Sequence, residues 1–555
     1  MKAIALEHDK TKRFFNDKHV WLLLIISLSV RIYLSFFTYV IRNDSVDFIQ
    51  IAAYFAKGDY LRGLEHNFHP LYSFITAILY KVVPNMELSG TVISVFFGTL
   101  TVIVFYLIGK GIFNQKVSFV SSIILSFHPY AVRLSADMIS ESTYFFFFIS
   151  SLGLGFFAIT NRRYLLFVLT GICSAFAYLA RPEGIGIIIV VASWCALKDC
   201  VKIKELWKDK LVSIVILIVS FLVISSPYLV YIKKETGYWR LTKKKNLSQM
   251  AGVEVGPRGQ NSDILVEKVN AKQGNSGRDI NKQVTARKTN FQIHINCILH
   301  VAKKYISTFH PFLFMFFIIG VINWSRIEKE RLFGFYLITV IALYFFVLYR
   351  LSITHFFLFY RPSISHLSGS GDVFLYPSRR HLMPLVIPAI FCVGIGVYTT
   401  GAWIHKKFQD NSLIVGFKEL LRSTWTIQLM VLIVVVCVLL PKTLKPQRFD
   451  KLGTKLAGQW IKEHSHKRFP AVFSDSARNA YYAGGKHVQI EKIDEVLNQA
   501  QEKKADYILI TQREFKVLEE EILQSTKEKK IKLVYKYPGK KSSNRRSIFL
   551  YKVLH

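Results

Sequence analysis

The stretch HVWLLLIISLSVRIYLSFFTYVI, residues 19–41, decides the fold. About 20 apolar residues in a helix are enough to cross roughly 30 Å of hydrocarbon. Backbone polar groups cannot stay unpaired in lipid, so such a block must be helical. The block is long and lacks a small-residue cleavage site. We therefore predict a retained membrane span rather than a signal peptide.

Similar apolar blocks recur along the chain and predict a polytopic α-helical membrane protein. With the first block they make about eleven predicted spans, the other ten being residues 88–112, 117–132, 143–159, 164–180, 185–197, 211–232, 309–324, 334–349, 382–403 and 425–440. The shorter apolar piece 70–83 is predicted to lie at the membrane interface.

The chain is strongly basic, with 72 Lys and Arg against 37 Asp and Glu and a formal net charge of +35. Because these cations lie in loops between apolar blocks, they favour lipid headgroups or phosphate-bearing lipids over nucleic acid. The short loops that would face inwards are basic, which predicts a cytoplasmic N-terminus and, with eleven spans, an extracytoplasmic tail. The six cysteines form no CxxC pair, so neither a disulfide framework nor a zinc site is indicated.

Two regions are predicted. Residues 1–441 would form the transmembrane catalytic domain, with large extracytoplasmic loops at about 42–87, 233–305 and 350–380. In residues 442–555 helical and strand-like segments alternate, which predicts a small extracytoplasmic α/β domain.

Acidic and basic side chains recur in the loops predicted to share the outer face. Acids and bases that converge from separate loops are what an active site at the interface requires. For any one of these residues, the alternative is an ordinary solvated side chain in a loop. The set comprises Asp44, Asp47, His66, His69, Asp137, Glu141, Arg379 and Arg380.

Five short motifs resemble those of the GT-C superfamily, and the bacterial enzymes related to protein O-mannosyltransferases and to the aminoarabinose transferase of lipid A are the nearest in pattern. DSVDFIQIA (44–52) resembles the acidic first-loop motif, and SESTY (140–144) resembles the second. HPLY (69–72) is similar to HPPLY or KPPLGYW, with one proline missing. ARPEG (180–184) resembles TRPEG, and RHLMPLVIP (380–388) resembles RYLLPLLP. The resemblance covers nearly the whole chain.

The resemblance implies an inverting glycosyltransferase that moves a sugar from a polyprenyl-phosphate donor to a hydroxyl acceptor, which could be lipid A, a cell-envelope glycan or a protein. A carboxylate must take the proton of that hydroxyl. By its place in the motif Asp44 is the preferred base, with Asp47 as the alternative.

Cationic groups are needed where the leaving phosphate gathers charge. His69 stands where the aminoarabinose transferases carry a Lys, and an interfacial His capping a helix is the alternative. Tyr72, Arg181 and Arg380 are the other predicted substrate or phosphate contacts. For Arg181 a structural turn, paired with Glu183, is the alternative.

Glu141 is predicted to be catalytic, by orienting the acceptor or by holding a divalent cation with Asp44. The metal requirement is left open, and no other cofactor is expected. Asp137 is interpreted as solvated and Arg379 as an interfacial anchor. Lys243–Lys245 are further phosphate candidates, and Arg31, inside the first span, is expected to have a packing or topological role.

A membrane transporter or lipid flippase without covalent transfer is the rival hypothesis. It should show several charges at mid-span, internal repeats or paired broken helices. The acids here gather in loops instead, which favours chemistry at the surface. The expected partners are therefore the lipid-linked donor, the hydroxyl acceptor and the bilayer, and the expected location is a bacterial inner (plasma) membrane.

Overall fold

The structure is a computed structural model that describes residues 17–197, 203–243, 279–324, 327–359, 377–410, 423–490, 496–537 and 547–554. Of the predicted phosphate contacts, Lys244 and Lys245 lie outside these ranges.

Long apolar helices dominate the first 443 residues, and the chain is a multi-pass membrane protein. Within the described ranges, seven helices are long and apolar enough to cross a membrane. They are α1 (Lys18–Phe36), α5 (Met86–Ile112), α8 (Glu141–Asn161), α11 (Ile203–Thr236), α14 (Glu328–Phe359), α15 (Arg379–Asp410) and α16 (Thr424–Thr443).

Two further pairs of helices are together long and apolar enough to cross a membrane, but each pair is bent. The helices α6 (Gln115–Phe127) and α7 (Pro129–Ser135) meet at 59°, and α12 (Asp279–Phe309) and α13 (Pro311–Ile322) meet at 98°. Each break lies at a His-Pro pair, because proline lacks the N–H that would continue the first helix and suits the first position of the next. Counting each bent pair as one span gives up to nine among the described residues.

The eleven predicted spans all correspond to helices, but two of these helices are short. They are α9 (Tyr164–Ala180) and the segment Pro182–Leu197, which combines a 3₁₀ turn with α10 (Gly186–Leu197). The predicted interfacial piece 70–83 is the ten-residue helix α4 (Leu71–Tyr80). The difference between nine and eleven therefore depends on whether these two shorter helices cross.

Two helices outside the spans complete the first region, α2 (Asn43–Ala56) and α3 (Tyr60–Glu65). The helix α2 buries one apolar face, including Phe48 and Ile51, and leaves Asp44 in its first turn. An acid in the first turn complements the positive end of the helix dipole.

A small α/β region follows the last span. Its helices are α17 (Leu452–His464), α18 (Ala477–Tyr482), α19 (Val496–Glu502), α20 (Gln512–Val517) and α21 (Glu519–Lys527), and its strands are β1 (Ala471–Ser474), β2 (Lys486–Gln489), β3 (Tyr507–Thr511), β4 (Ile531–Tyr537) and β5 (Ile548–Val553). The sheet order is β2-β1-β3-β5-β4. The neighbours of β1 pair with it in parallel, and β5 pairs antiparallel with both β3 and β4.

The α/β region packs on the loop that follows α1. Thr38 forms a bridge with Gln447, and the backbone N–H of Ile41 donates to the Tyr482 hydroxyl at 2.9 Å. The Ser476 hydroxyl donates to the Asn43 side chain. These contacts place the α/β region on the same side of the helices as the start of α2.

Candidate functional site

A cavity of about 260 Å³ lies where several helices end on this side. We call it the acidic cavity, because three carboxylates line it. Its walls come from α2, the segment before α4, the start of α8, the turn after α9 and the start of α15. The lining residues are Asp44, Phe48, Asn67, Phe68, His69, Ser140, Glu141, Ala180, Arg181, Pro182, Glu183, Thr242, Arg380 and His381.

Asp44 is held at the mouth of this cavity. Its helix is fixed at this end by Ser45, whose hydroxyl donates to the Met138 carbonyl at 2.7 Å. The Asp44 carboxylate forms an ion pair with Arg380, and both side chains are 30% exposed. An arginine partner stabilises the ionised form of a carboxylate, which is the form that can accept a proton.

Glu141 lies deeper, as the first residue of α8, and is 2% exposed. Its Oε1 atom is 2.8 Å from Nη1 of Arg181 and 3.7 Å from Nη1 of Arg380. A buried carboxylate is tolerated only with such partners, because removing it from water is costly. Glu141 therefore positions the two arginines whose guanidinium groups line the cavity.

Arg181 ends α9 and links Glu141 to Glu183, whose Oε1 is 3.3 Å from Nη2 of Arg181. Burial alone would lower the pKa of Arg181, but the carboxylates of Glu183 and Glu141 outweigh it and raise that pKa above its ordinary value. Arg181 pairs with Glu183, as the structural alternative expects, and it also lines the cavity, while its contact with substrate stays a prediction. Together with Asp44 and Arg380, these residues make a chain of alternating charges.

His69 is buried, lines the cavity and packs against two aromatic rings. Its ring centroid is 5.1 Å from that of Tyr178 and 5.1 Å from that of Tyr228. The residue at the cap of α4 is Pro70, so the helix-capping alternative for His69 does not describe its position. The imidazole reaches the same cavity as both arginines.

The structure does not place Tyr72 among the residues that line the acidic cavity, and its contact with substrate stays a prediction. Tyr72 is fully buried, and its hydroxyl donates to the Gly90 carbonyl at 2.8 Å and lies 3.1 Å from the Ser94 hydroxyl. These bonds fix α4 against α5. Tyr72 is a packing residue because its position in α4 turns it towards the neighbouring helix.

Asp47 lies one turn after Asp44 and lines a different cavity, of about 510 Å³, with Glu65 and His66. A regular helix advances its side chains by 100° per residue, so a three-residue step need not keep two side chains in one cavity. Burial lowers the pKa of His66, although the charge of Asp47 opposes the shift. Of the two acids considered as the base, only Asp44 lines the acidic cavity.

Asp137 is 1% exposed, so its interpretation as a solvated acid is wrong. Its Oδ1 is 2.7 Å from Nη2 of Arg448, and its Oδ2 pairs with Nε of Arg42. It thus joins the residue before α2 to the segment after α16. Sequence reasoning missed Arg42 and Arg448, and only the position of Arg42 beside the first acidic motif could have drawn attention to it.

The remaining cations considered from the sequence lie elsewhere. The guanidinium of Arg379 is 5.0 Å from the Tyr130 ring, and Nζ of Lys243 donates to the Leu64 carbonyl. Arg31 is buried in α1, where Nη1 donates to the Ser27 carbonyl at 3.1 Å and to its hydroxyl at 2.6 Å. That arrangement is the packing role expected for an arginine within a span.

A divalent cation shared by Asp44 and Glu141 stays a prediction. Nη1 of Arg380 pairs with the Asp44 carboxylate and lies 3.7 Å from Oε1 of Glu141. In the parts of the chain that the structure describes, no three His, Cys, Asp or Glu side chains are grouped as metal ligands.

Comparison with known proteins gives a match to a family model and a similarity to a solved structure. Residues 67–231 match the model of the family described as dolichyl-phosphate-mannose-protein mannosyltransferase. The whole structure is similar to ArnT from Cupriavidus metallidurans, solved in the apo state and bound to undecaprenyl phosphate. Each match has a TM-score of 0.52 and 12% identity, and covers 96% of this chain and 97% of that chain.

An oligosaccharyltransferase from Archaeoglobus fulgidus, tethered to an acceptor peptide, is a weaker match, with a TM-score of 0.49 and 11% identity over 98% of this chain and 75% of that one. A search of curated protein sequences found no match. The chain has the fold of ArnT, and its residues 67–231 match the family described as dolichyl-phosphate-mannose-protein mannosyltransferase.

Proposed function

We propose that this protein is an inverting glycosyltransferase that moves a sugar from a polyprenyl-phosphate donor to a hydroxyl acceptor at the outer face of the plasma membrane. The observation that carries the proposal is the chain of charges Asp44, Arg380, Glu141 and Arg181 around one cavity at the helix ends. It combines a carboxylate that can act as a base with cations that can receive a phosphate.

In the proposed reaction the acceptor hydroxyl attacks the anomeric carbon from the face opposite the lipid phosphate. The new C–O bond forms as the bond between the anomeric carbon and the phosphate oxygen breaks, and its electron pair leaves with the phosphate. Asp44 takes the hydroxyl proton, so the products are the glycosylated acceptor and the polyprenyl phosphate. A single displacement of this kind inverts the anomeric configuration.

The leaving phosphate is assigned to the wall formed by Arg181, Arg380 and His69. Fixed cations lower the barrier most when they lie where charge develops and need not reorganise during the reaction. Glu141 is assigned a positioning role, because its Oε1 atom lies 2.8 Å from Nη1 of Arg181 and 3.7 Å from Nη1 of Arg380. Undecaprenyl phosphate bound to ArnT is consistent with a lipid phosphate as the leaving group in this fold.

The outer-face assignment rests on charge and parity. Short basic loops favour the cytoplasm, which puts the end of the first span and the start of the fourth outside. Asp44 follows the first span and Glu141 begins the fourth, so both belong to the outer side. The α/β region shares that side because it packs on the loop after α1.

The fate of a labelled sugar distinguishes the proposed enzyme from the transporter hypothesis. The purified full-length chain is reconstituted in liposomes with a polyprenyl-phosphate sugar labelled in the sugar, and a cell-envelope extract supplies the acceptor. Label that becomes covalently attached to an acceptor, while polyprenyl phosphate is released in equal amount, supports the enzyme. Movement of intact donor between leaflets without covalent transfer would overturn it.

A further inference from the structure

The helix α15, which carries Arg380 into the acidic cavity, begins with an unfavourable distribution of charge. Its first two residues are Arg379 and Arg380, and its first turn, residues 379–382, contains no acid. Cations are unfavourable at a helix N-terminus, where the helix dipole is positive and backbone N–H groups lack partners within the helix. This turn nevertheless holds Arg380 beside Asp44 and Glu141. Its position must therefore be fixed by a local contact rather than by charge.

That contact is a cap supplied by His381. Ser378 is the residue before the helix, and its backbone N–H donates to Nδ1 of His381 at 3.2 Å. The Ser378 hydroxyl lies 2.9 Å from the same Nδ1, and the backbone N–H of His381 donates to the Ser378 carbonyl at 3.0 Å. In an ordinary capping box, a Glu or Gln at the third helical position accepts the bond from the N-cap N–H. In α15 an imidazole takes the place of that side chain.

The bond from the Ser378 N–H also fixes the protonation state of the ring. A backbone N–H can only donate, so Nδ1 must offer a lone pair, and the proton of the neutral ring lies on Nε2. A protonated imidazole carries N–H on both nitrogens and can no longer accept this bond. Imidazole is also the side chain that ordinarily changes its charge between pH 5 and 8. The cap of α15 therefore requires the neutral form of His381.

The cap is directly connected to the acidic cavity. Arg380 lies between Ser378 and His381 in the chain, so the closed turn fixes the backbone from which the Arg380 side chain extends. His381 itself lines the cavity together with Arg380 and Glu183. A neutral acceptor suits this position, because a carboxylate in its place would compete with Asp44 for the guanidinium of Arg380. The cap thus stabilises the turn without disturbing the ion pair.

Protonation of His381 would place three cations in succession at the positive end of α15. The titratable or charged groups that line the cavity with His381 are Asp44 from α2, His69 from the segment before α4, Glu141 from α8, Arg181 and Glu183 from the turn after α9, and Arg380 from α15. Tyr130, Lys304 and Lys442 are among the residues that line a second cavity with Ser378 and Arg379.

Glu183 is the acid that would attract a protonated ring, since its charge interacts with that of His381. Arg181 already pairs with Glu183, at 3.3 Å between Nη2 and Oε1, so this attraction is partly neutralised. The lost cap and the neighbouring arginines oppose protonation. A ring that does become charged is drawn towards Glu183 and away from the Ser378 N–H, which then lacks its acceptor.

We propose that His381 is a positioning residue for Arg380, and that protonation of His381 releases the start of α15 and weakens binding of a lipid phosphate in the acidic cavity. The phosphate-binding role of Arg380 rests on the proposed function, whereas the pH-dependent cap does not.

The test uses the purified full-length chain in one detergent at pH 7.5 and pH 5.5. His381→Gln keeps an acceptor that suits a capping box but does not titrate, and His381→Leu removes the acceptor. His464→Gln is the matched control, because His464 is an exposed histidine of α17 that does not line the acidic cavity. The two measurements are Tm without ligand and the affinity for undecaprenyl phosphate. The phosphate titrates equally for every variant, so only differences between variants are interpreted.

At pH 5.5 an unperturbed imidazole is about nine-tenths charged. Between the two pH values the wild type should therefore lose about tenfold more affinity than His381→Gln. At pH 7.5 His381→Leu should bind about tenfold more weakly than the wild type, because Arg380 is misplaced. The Tm of the wild type should fall relative to that of His381→Gln on acidification, since stability that needs the neutral ring is lost as the pH falls. His464→Gln should follow the wild type in both measurements.

Parallel pH dependence of the wild type and His381→Gln, in Tm and in affinity, would overturn the proposal. A wild-type Tm that rises relative to His381→Gln on acidification would also overturn it, because attraction to Glu183 would then outweigh the cap. Wild-type affinity in His381→Leu at pH 7.5 would show that Arg380 is held without His381. If the wild type bound no undecaprenyl phosphate at either pH, the phosphate assignment of the proposed function would fail, and the difference in Tm would still decide whether the cap exists.

Discussion

One nitrogen atom joins two of the three acids of the site. Nη1 of Arg380 contacts Asp44 and also lies 3.7 Å from Oε1 of Glu141, which Arg181 approaches from the other side. A planar guanidinium can serve several acceptors in fixed directions, whereas lysine presents a compact charge on a flexible stem. The arrangement lets one carboxylate stay partly exposed for proton transfer while the other is buried to hold the cations.

The pairing of Glu141 with Arg181 can be measured by a double-mutant cycle. Glu141→Gln leaves two arginines without their shared carboxylate, and breaking a buried pair from one side costs about 3–5 kcal/mol. The double variant Glu141→Gln with Arg181→Gln should be less destabilised than the sum of the single variants, with a coupling of about 1–3 kcal/mol. The measurement is the midpoint of unfolding of the purified protein in one detergent.

Additive effects in that cycle would show that the two side chains do not depend on each other. Activity provides a second readout, because Glu141 is assigned a positioning role. The Glu141→Gln variant should lose turnover through misplaced arginines, and Glu141→Asp should recover part of it.

Packing between neighbouring elements decides the role of Tyr72. The sequence places it in HPLY beside His69, yet the fold turns its hydroxyl to the Gly90 carbonyl of α5. Tyr72→Phe should therefore lower stability by about 1 kcal/mol, the usual net value of one hydrogen bond, and leave KM for the donor unchanged. His69→Ala is the comparison, and it should raise that KM because His69 lines the acidic cavity.

A raised KM in Tyr72→Phe with unchanged stability would restore the substrate-binding assignment. Donor titrations at a fixed acceptor concentration, together with thermal unfolding of both variants, distinguish the two outcomes.

Asp137 connects three elements through two ion pairs, to Arg42 before α2 and to Arg448 after α16. Asp137→Asn should leave both partly exposed arginines without a full charge partner and loosen the α/β region from the helices. We expect a lower Tm and faster protease cleavage between the last span and α17. Asp475→Asn, which changes an exposed acid of the same region, should change neither.

Equal cleavage of Asp137→Asn and the wild type would show that the clamp does not hold the α/β region. The comparison needs only the purified protein, so it does not depend on the identity of either substrate.

For the molecule as a whole, hydropathy predicts the helices well because a membrane span needs a long apolar run and little else. Each of the eleven predicted spans corresponds to a helix. The bends within the third and eighth spans were not predicted, although His128-Pro129 and His310-Pro311 carry the signal. Alternating patterns also suffice for a small α/β region after the last span.

The contacts across the fold could not be predicted in the same way. Asp137 and Arg448 are 311 residues apart, and neither has a pattern that identifies the other. A second cavity, of about 790 Å³, is lined by cations from separate elements, among them Arg133, Lys304 and Arg478, which look like ordinary loop and tail charges in the sequence. Motif order predicts that Asp44 and Glu141 share a site, but only the fold separates Asp47 and Tyr72 from it.

The claim on which the rest depends is that Asp44, and not its neighbour one turn away, takes the proton of the acceptor. The most direct test is the rate of sugar transfer from a labelled polyprenyl-phosphate donor by purified Asp44→Asn and Asp47→Asn, each matched to the wild type in Tm. Loss of a general base typically costs about 10²–10⁴-fold, so Asp44→Asn should fall by that factor while Asp47→Asn keeps turnover near the wild-type rate. Wild-type turnover in a folded Asp44→Asn variant would contradict the assignment.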